Sequence, residues 1–328
     1  MKKILVTGCS GFIGFHLCKH LIKNKKYFVF GIDNMNSYYD VTLKNDRLRK
    51  LNKLGKLYKN FKFKKLDITN KKKLQIFFQI NKFDCAINLA AQAGVRHSIE
   101  FPETYLQNNV NGFFNILESS RKSKIKHLIF ASTSSVYGAN KKYPFVETDR
   151  TDNPESFYAA TKKTNEIMAY TYSSIYNLPV TGLRFFTVYG DYGRPDMALF
   201  KFTKLISISK KIPLFNKGNH VRDFTHVDDV VLSIEKLIFK PSRKKIPFDI
   251  FNIASSRPIS LKTYVSLIEY NLGLKAKINN LPFQQGDVFK TYGDNKKLKK
   301  KVGFSPKTSI DNGISSFVKW YQDYFNNK

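Results

Sequence analysis

The chain begins with a short apolar run, Ile4-Leu5-Val6-Thr7. The loop Gly8-Cys9-Ser10-Gly11-Phe12-Ile13-Gly14 follows, and the stretch Phe12–Asn24 carries Ile13, Leu17 and Leu21 on one helical face. A strand, a loop with three glycines and an amphipathic helix, in that order, are the opening of a βαβ unit. The glycines allow a tight turn, a close approach of main chain to a diphosphate, and close packing of helix on strand. The helix N-terminus then offers unpaired N–H groups to the phosphates. The spacing is G-x-x-G-x-x-G rather than G-x-G-x-x-G, and three glycines alone also suit a purely structural turn. Their position between strand and helix favours dinucleotide binding, with Gly8, Gly11, Phe12, Ile13 and Gly14 as cofactor contacts.

The second strand, Phe28–Asp33, ends in a carboxylate nineteen residues after Gly14. A carboxylate there accepts hydrogen bonds from ribose hydroxyls and repels a 2′-phosphate. Asn34 and Met35 follow, with no arginine to welcome such a phosphate, so NAD is expected rather than NADP. A loop cap is the competing role for Asp33. Asp67 and Ile68, after the third strand, are expected at the adenine.

Phe61–Leu66, Cys85–Leu89, His127–Ser132 and Val180–Phe185 read as further strands with helical patterns between them. This rhythm implies an α/β fold, a Rossmann-type doubly wound parallel sheet with right-handed crossovers. Past residue 190 prolines punctuate shorter elements, although Phe248–Ile253 reads as a strand returning to the sheet. A smaller, discontinuous α/β substrate domain is therefore expected, over residues 184–220 and 257–328. The dinucleotide domain takes 1–183 and 221–256. No Gly/Ser-rich linker separates the two, so tight packing is expected.

The 328 residues, 42% apolar and 15% aromatic, can bury a large core. The net charge of +31 raises nucleic-acid binding. The lysines are spread from Lys2 to Lys328, however, without one basic face or aromatic stacking platforms, so no nucleic-acid partner is expected. A basic field instead suits an anionic small substrate. Cys9, Cys18 and Cys85 form neither an even set nor a C-x-x-C pair, which argues against a disulfide framework and a metal site. The first apolar run is too short for a signal peptide, and no stretch of about 20 apolar residues is present. A cytoplasmic protein without membrane association is expected.

The pattern Y-x-x-x-K occurs at Tyr58, Tyr137, Tyr158, Tyr292 and Tyr324, so spacing decides nothing in a lysine-rich chain. Only Tyr158 lies near the start of a convincing helix, shortly after a strand ending in hydroxyl residues. Positions i and i+4 share a helix face, which puts Lys162 near the Tyr158 phenol. Use of that phenol as a base near neutral pH needs a fall of roughly three units from about 10. A neighbouring ammonium and an oxidised nicotinamide are both suitable causes. Thr133 would orient the reacting hydroxyl, or else merely cap its strand.

Together these residues resemble the extended short-chain dehydrogenase/reductase family, within it the nucleotide-sugar epimerases. The resemblance spans nearly the whole chain. It includes Asn88-Leu89-Ala90-Ala91, Asn108-Asn109-Val110, Ser132–Gly138 and Arg184–Gly190, besides the glycine loop and Tyr158–Lys162. The stretches Gly31–Asp40, Ala91–Arg96, Thr187–Gly190 and Gly193–Ala198 resemble the UDP-glucuronate 4-epimerase branch more narrowly. The resemblance implies resident NAD, contacted also by Leu89, Ala90, Ala91, Asn108, Tyr158 and Lys162, and a homodimer formed through helices near Pro102–Arg121 and Phe157–Tyr176.

The implied reaction oxidises C4 of UDP-glucuronate, turns the 4-keto sugar over, and returns hydride to the other face to give UDP-galacturonate. The product is expected to feed polysaccharide biosynthesis. Tyr158, Lys162 and Thr133 are then catalytic. Substrate contacts implied are Arg96, Thr133, Ser134, Ser135, Thr187, Arg194, Met197, Phe200, Arg222 and Asp287. Related dehydratases resemble one another in an Asp-Glu pair after the hydroxyl residue, and decarboxylases in Thr-Ser-Glu. Thr133-Ser134-Ser135 has neither, which disfavours dehydration. Gln284, three residues before Asp287, differs from the arginine of UDP-galactose epimerases. UDP-glucose/UDP-galactose epimerisation, UDP-glucuronate decarboxylation and non-enzymatic dinucleotide sensing remain the alternatives.

Overall fold

A computed structural model of the protein describes residues 1–283 and 288–326. Its strands in chain order are β1 (Lys2–Thr7), β2 (Tyr27–Asp33), β3 (Phe61–Lys65), β4 (Cys85–Asn88), β5 (His127–Thr133) and β6 (Val180–Phe185). After them come β7 (Thr187–Tyr189), β8 (Lys211–Phe215), β9 (Val221–His226), β10 (Phe248–Ile253), β11 (Pro258–Ser260) and β12 (Lys277–Leu281). Seven of them form one sheet in the order β10-β6-β5-β4-β1-β2-β3, every pair parallel.

Burial explains the sequence of each strand. Ile4, Leu5 and Val6 of central β1 are wholly buried, as a parallel strand covered on both faces requires. At the edge, β3 alternates Phe61 and Phe63 with exposed Lys62 and Lys64. Charged side chains on an outer strand oppose edge-to-edge pairing.

The strand order reverses between β1 and β4. In open α/β sheets such a switch point, beyond the carboxyl ends of the strands, is where ligands bind. Here the two strands are tied at that end. Thr7 Oγ1 donates to Asn88 Oδ1 at 2.7 Å and accepts from Ala90 N–H at 3.0 Å.

The helix Phe12–Lys23 links β1 to β2 and packs against the helix Val227–Leu237, with His20 Nε2 2.8 Å from Glu235 Oε2. Between β4 and β5 the chain forms short helices His97–Glu100 and Pro102–Tyr105, a wide π turn Leu106–Asn111, and the helix Gly112–Lys122. The helix Phe157–Tyr176 starts at Ser156, whose side chain accepts from Ala159 N–H, and stops at left-handed Asn177.

The remaining strands make two small sheets, β11-β9-β7 and β12-β8. Within residues 221–256, β10 thus joins the large sheet while β9 pairs with β7 and β11. One hydrophobic core runs from Val6 and Leu17 under the large sheet to Phe224, Tyr264 and Phe317 among these small sheets. Among the described residues no helix is long and apolar enough to cross a membrane.

Candidate active site

The glycine loop is built around the Gly8 carbonyl. Gly8 has φ +69°, and a Cβ there would lie 2.9 Å from Ala90 N. A Cβ on Gly14 would stand 2.0 Å from Gly8 O, and one on Gly11 3.0 Å from the same atom. The helix Phe12–Lys23 begins at Gly11 with no side-chain cap. A tight main-chain cradle beside an uncapped helix N-terminus fits a dinucleotide diphosphate.

Asp33, at the end of β2, accepts from Ser10 N–H at 3.0 Å and Met35 N–H at 2.8 Å. It therefore caps the loop, and it also lines the cleft. Asp67 accepts from Asn34 Nδ2, Thr69 N–H and Thr69 Oγ1 at 2.7–2.8 Å. Burial raises its pKa, but these donors outweigh burial and hold the carboxyl below its ordinary range.

Above this cradle opens a cavity of about 480 Å³. Gly8, Gly11, Phe12, Ile13, Gly14, Asp33, Asp67 and Ile68 line one part of it. Leu89, Ala90, Ala91 and Asn108 continue the wall. Thr133, Ser134, Ser135, Tyr158, Lys162, Thr187, Arg194 and Met197 line it as well. The dinucleotide residues and the proton-transfer residues thus share one cleft.

Tyr158 lies on the first turn of its helix, its ring 6.1 Å from that of Tyr105. Burial pushes its phenol upward, while the Arg194 charge and a hydrogen bond from Thr133 pull it down; the balance lies above the ordinary value. Lys162 shares the helix face, but its amino group donates to Ala131 O of β5 at 3.0 Å. In the nucleotide-free protein the charge that lowers the Tyr158 phenol is that of Arg194, while Lys162 lines the same cleft. Burial lowers the Lys162 pKa to about 8. Thr133 Oγ1 accepts from Ser135 N–H at 3.2 Å, so it caps its strand and faces the cleft at once. Behind it, Ser132 Oγ donates at 2.6 Å to Glu166, which is paired with buried Arg184 at 2.8 Å.

Three residues expected at the substrate do not line this cavity itself. Phe200 packs in an aromatic core, 5.5 Å from the Tyr321 ring and 6.1 Å from that of Phe317; its helix turns it inward. Arg222 donates to the carbonyls of Val221 and Phe289, both at 3.0 Å, and is not on the cleft wall. Arg96 lies over the Phe215 ring at 4.6 Å and borders a neighbouring cavity of about 440 Å³. Asp287 and Gln284 lie outside the described residues.

The cleft also contains residues that the sequence reading passed over. Gln92 is 4% exposed and lines the cleft. Its main chain is clamped by Asn109, which accepts from Gln92 N–H at 2.8 Å and donates to Gln92 O at 2.9 Å. Lys44 reaches in from the helix Val41–Tyr58 and donates to Asn36 O at 2.7 Å. Tyr38 and Asp196 stood inside the resembling stretches, so the signal was there; for Lys44 nothing distinguished it from the other lysines.

Residues 4–254 match the model of the NAD dependent epimerase/dehydratase family. The chain belongs to this family. It is 48% identical over 337 residues to Protein CapI of Staphylococcus aureus, covering 98% of this chain and 99% of that one. It is 41% identical over 338 residues to the probable UDP-glucuronate 4-epimerase of Rhizobium meliloti, covering 98% of each. The crystal structure of the UDP-glucuronic acid 4-epimerase from Bacillus cereus in complex with UDP-glucuronic acid and NAD superposes with a TM-score of 0.90. It is 33% identical and covers 98% of this chain and 100% of that chain. In this epimerase/dehydratase family member, the seven-stranded parallel sheet matches the fold of that epimerase.

Proposed function

We propose that this protein is a UDP-glucuronate 4-epimerase that interconverts UDP-glucuronate and UDP-galacturonate with resident NAD. The observation carrying the reading is the single cleft on which the glycine cradle, Tyr158 and Arg194 all open. Gly8, Gly11, Phe12, Ile13 and Gly14 would hold the diphosphate, with Asp33 at the ribose and Asp67 and Ile68 at the adenine. Leu89, Ala90, Ala91, Asn108 and Lys162 would border the rest. NAD, when bound, supplies a hydride acceptor and donor.

The chain's own part is to move one proton and hold one carboxylate. Tyr158, held as its phenolate when the positive nicotinamide and the Lys162 and Arg194 charges outweigh burial, would take the proton from the C4 hydroxyl and later return it, while Thr133 orients that hydroxyl. Oxidation at C4 makes the uronate a β-keto acid, prone to lose CO₂. A guanidinium can fix a carboxylate through two parallel hydrogen bonds, and Arg194 has that fork in the cleft. Ser134, Ser135, Thr187 and Met197 border the same space, and no carboxylate stands at 134 or 135 to eliminate water.

Residues 1–183 and 221–256 would form the dinucleotide domain, and 184–220 with 257–328 the sugar domain. Exposed Leu106, Phe114, Ile167 and Tyr170 provide an apolar face for a homodimer. The absence of a membrane-length helix among the described residues suits a cytoplasmic enzyme that supplies polysaccharide precursors. The test is incubation of purified protein with UDP-glucuronate and no added NAD, read by chromatography. UDP-galacturonate is expected. CO₂ with a UDP-pentose as main product selects a decarboxylase. Turnover of UDP-glucose alone selects a neutral-sugar epimerase. Light scattering reads the dimer.

A further inference from the structure

The guanidinium assigned to the substrate carboxylate already holds a carboxylate. Arg194 Nε donates to Asp196 Oδ1 at 3.0 Å, and Nη2 donates to Asp196 Oδ2 at 2.5 Å. Both prongs of the fork are thus occupied in the manner that any carboxylate would occupy them. The Tyr38 hydroxyl donates to the same Oδ2 at 3.4 Å, and the Arg194 guanidinium lies 5.9 Å from the Tyr38 ring centre. All three residues line the cleft.

The pair is poised for exchange rather than locked. Asp196 is 37% exposed and Arg194 20%, so an incoming carboxylate can reach the fork and compete for it. Burial favours the neutral acid at Asp196, but the Arg194 charge outweighs it and keeps the carboxyl below its ordinary range. Asp196 is therefore anionic near neutral pH. A uronate reaching Arg194 needs the same fork and meets the like charge of Asp196. A neutral hexose brings no group able to replace it.

We propose that Asp196 competes with the substrate carboxylate for the Arg194 fork and so sets how tightly a uronate is held. Its carboxylate stands in for that of the substrate, holding Arg194 until a uronate displaces it. This rests on the reading of Arg194 as the carboxylate contact. Asp196 acts through Arg194, so it is a positioning residue. It holds the guanidinium in place before substrate arrives and releases it to a sugar that carries its own carboxylate.

The test compares holoenzymes: wild type, Asp196→Asn, Asp196→Glu, Arg194→Gln and the double variant Asp196→Asn/Arg194→Gln. Each is titrated calorimetrically with UDP-glucuronate and with UDP-glucose, and assayed for KM and kcat with UDP-glucuronate. Asp196→Asn is expected to bind UDP-glucuronate about two- to fivefold tighter. KM should fall more than kcat changes, and UDP-glucose affinity should stay within about twofold. Asp196→Glu keeps the charge and should behave like wild type. The gain should vanish in the double variant measured against Arg194→Gln. Unchanged or weaker UDP-glucuronate binding in Asp196→Asn, an equal shift for both nucleotides, or a gain that survives loss of Arg194 would each overturn the proposal. A wild type without epimerase activity on UDP-glucuronate refutes the functional reading instead. An active wild type with an indifferent Asp196→Asn refutes only this inference.

Discussion

Gly14 and Arg194 line the same cleft and are held by different means. Gly14 is fixed by main chain: an added Cβ would meet Gly8 O at 2.0 Å, so no other residue fits without moving the loop. Arg194 is held by side chains, the Asp196 carboxylate and the Tyr38 ring, in a partly exposed pair. The part of the cleft proposed for the cofactor is a backbone mould, whereas the part proposed for the sugar is an arrangement of exchangeable side chains. A resident cofactor needs one shape. A sugar that must turn over within the site needs contacts that can be made and released.

Four substitutions probe that contrast, from the largest effect down. At the seam, Tyr158→Phe removes one hydroxyl and leaves both parts intact. We expect kcat to fall about 10²- to 10⁴-fold, with bound NAD and melting temperature unchanged. NAD lost along with activity would mean that the seam belongs to the mould.

Within the mould, Gly14→Ala forces the loop or the helix Phe12–Lys23 to shift, at about 1–3 kcal/mol of stability. We expect protein isolated largely without NAD, measured by extraction and chromatography. Full NAD occupancy would break the mould description. Within the sugar part, Arg194→Lys keeps the charge and loses the fork. Loss of one charge-assisted contact predicts a kcat/KM for UDP-glucuronate about tenfold to a hundredfold lower, with NAD retained. Release of CO₂ should rise as the carboxylate loosens, and an unaltered product ratio would remove Arg194 from that role.

The mould was the more legible part in the sequence. Its residues are consecutive, so Gly8–Gly14 carries its geometry in its spacing, and the strands of the large sheet were read to within two residues at each end. The sugar part depends on contacts between distant positions. Arg96 and Arg222 are cations of the right type, but which carbonyl or ring a long side chain settles on is not written in its neighbours. Phe200 lies three residues after Met197, yet one turn of the helix Ala198–Ser207 takes it from the cleft into the aromatic core. The π turn Leu106–Asn111 escaped because period-3.6 reasoning has no place for it, although it carries the Asn109 amide that clamps Gln92.

Lys162 gives the smallest and most discriminating test, because the two descriptions predict opposite signs for it. It is 3% exposed, with one hydrogen bond to Ala131 O and a pKa lowered by burial to about 8. An unfolded lysine titrates near 10.4. Between these values the unfolded chain binds a proton that the folded protein has released, so stability rises with pH through that window. Below pH 8 the buried charge is a standing cost. Lys162→Met should therefore stabilise the nucleotide-free protein at pH 7 by about 1–3 kcal/mol, and the gain should fade as pH approaches 10. Epimerisation should drop at every pH. Urea midpoints at pH 7 and pH 10 measure the difference. A variant less stable at pH 7 would make Lys162 a structural strut between its helix and β5. A gain confined to low pH identifies a cation kept in the cleft for its chemistry, at the expense of the fold that holds it.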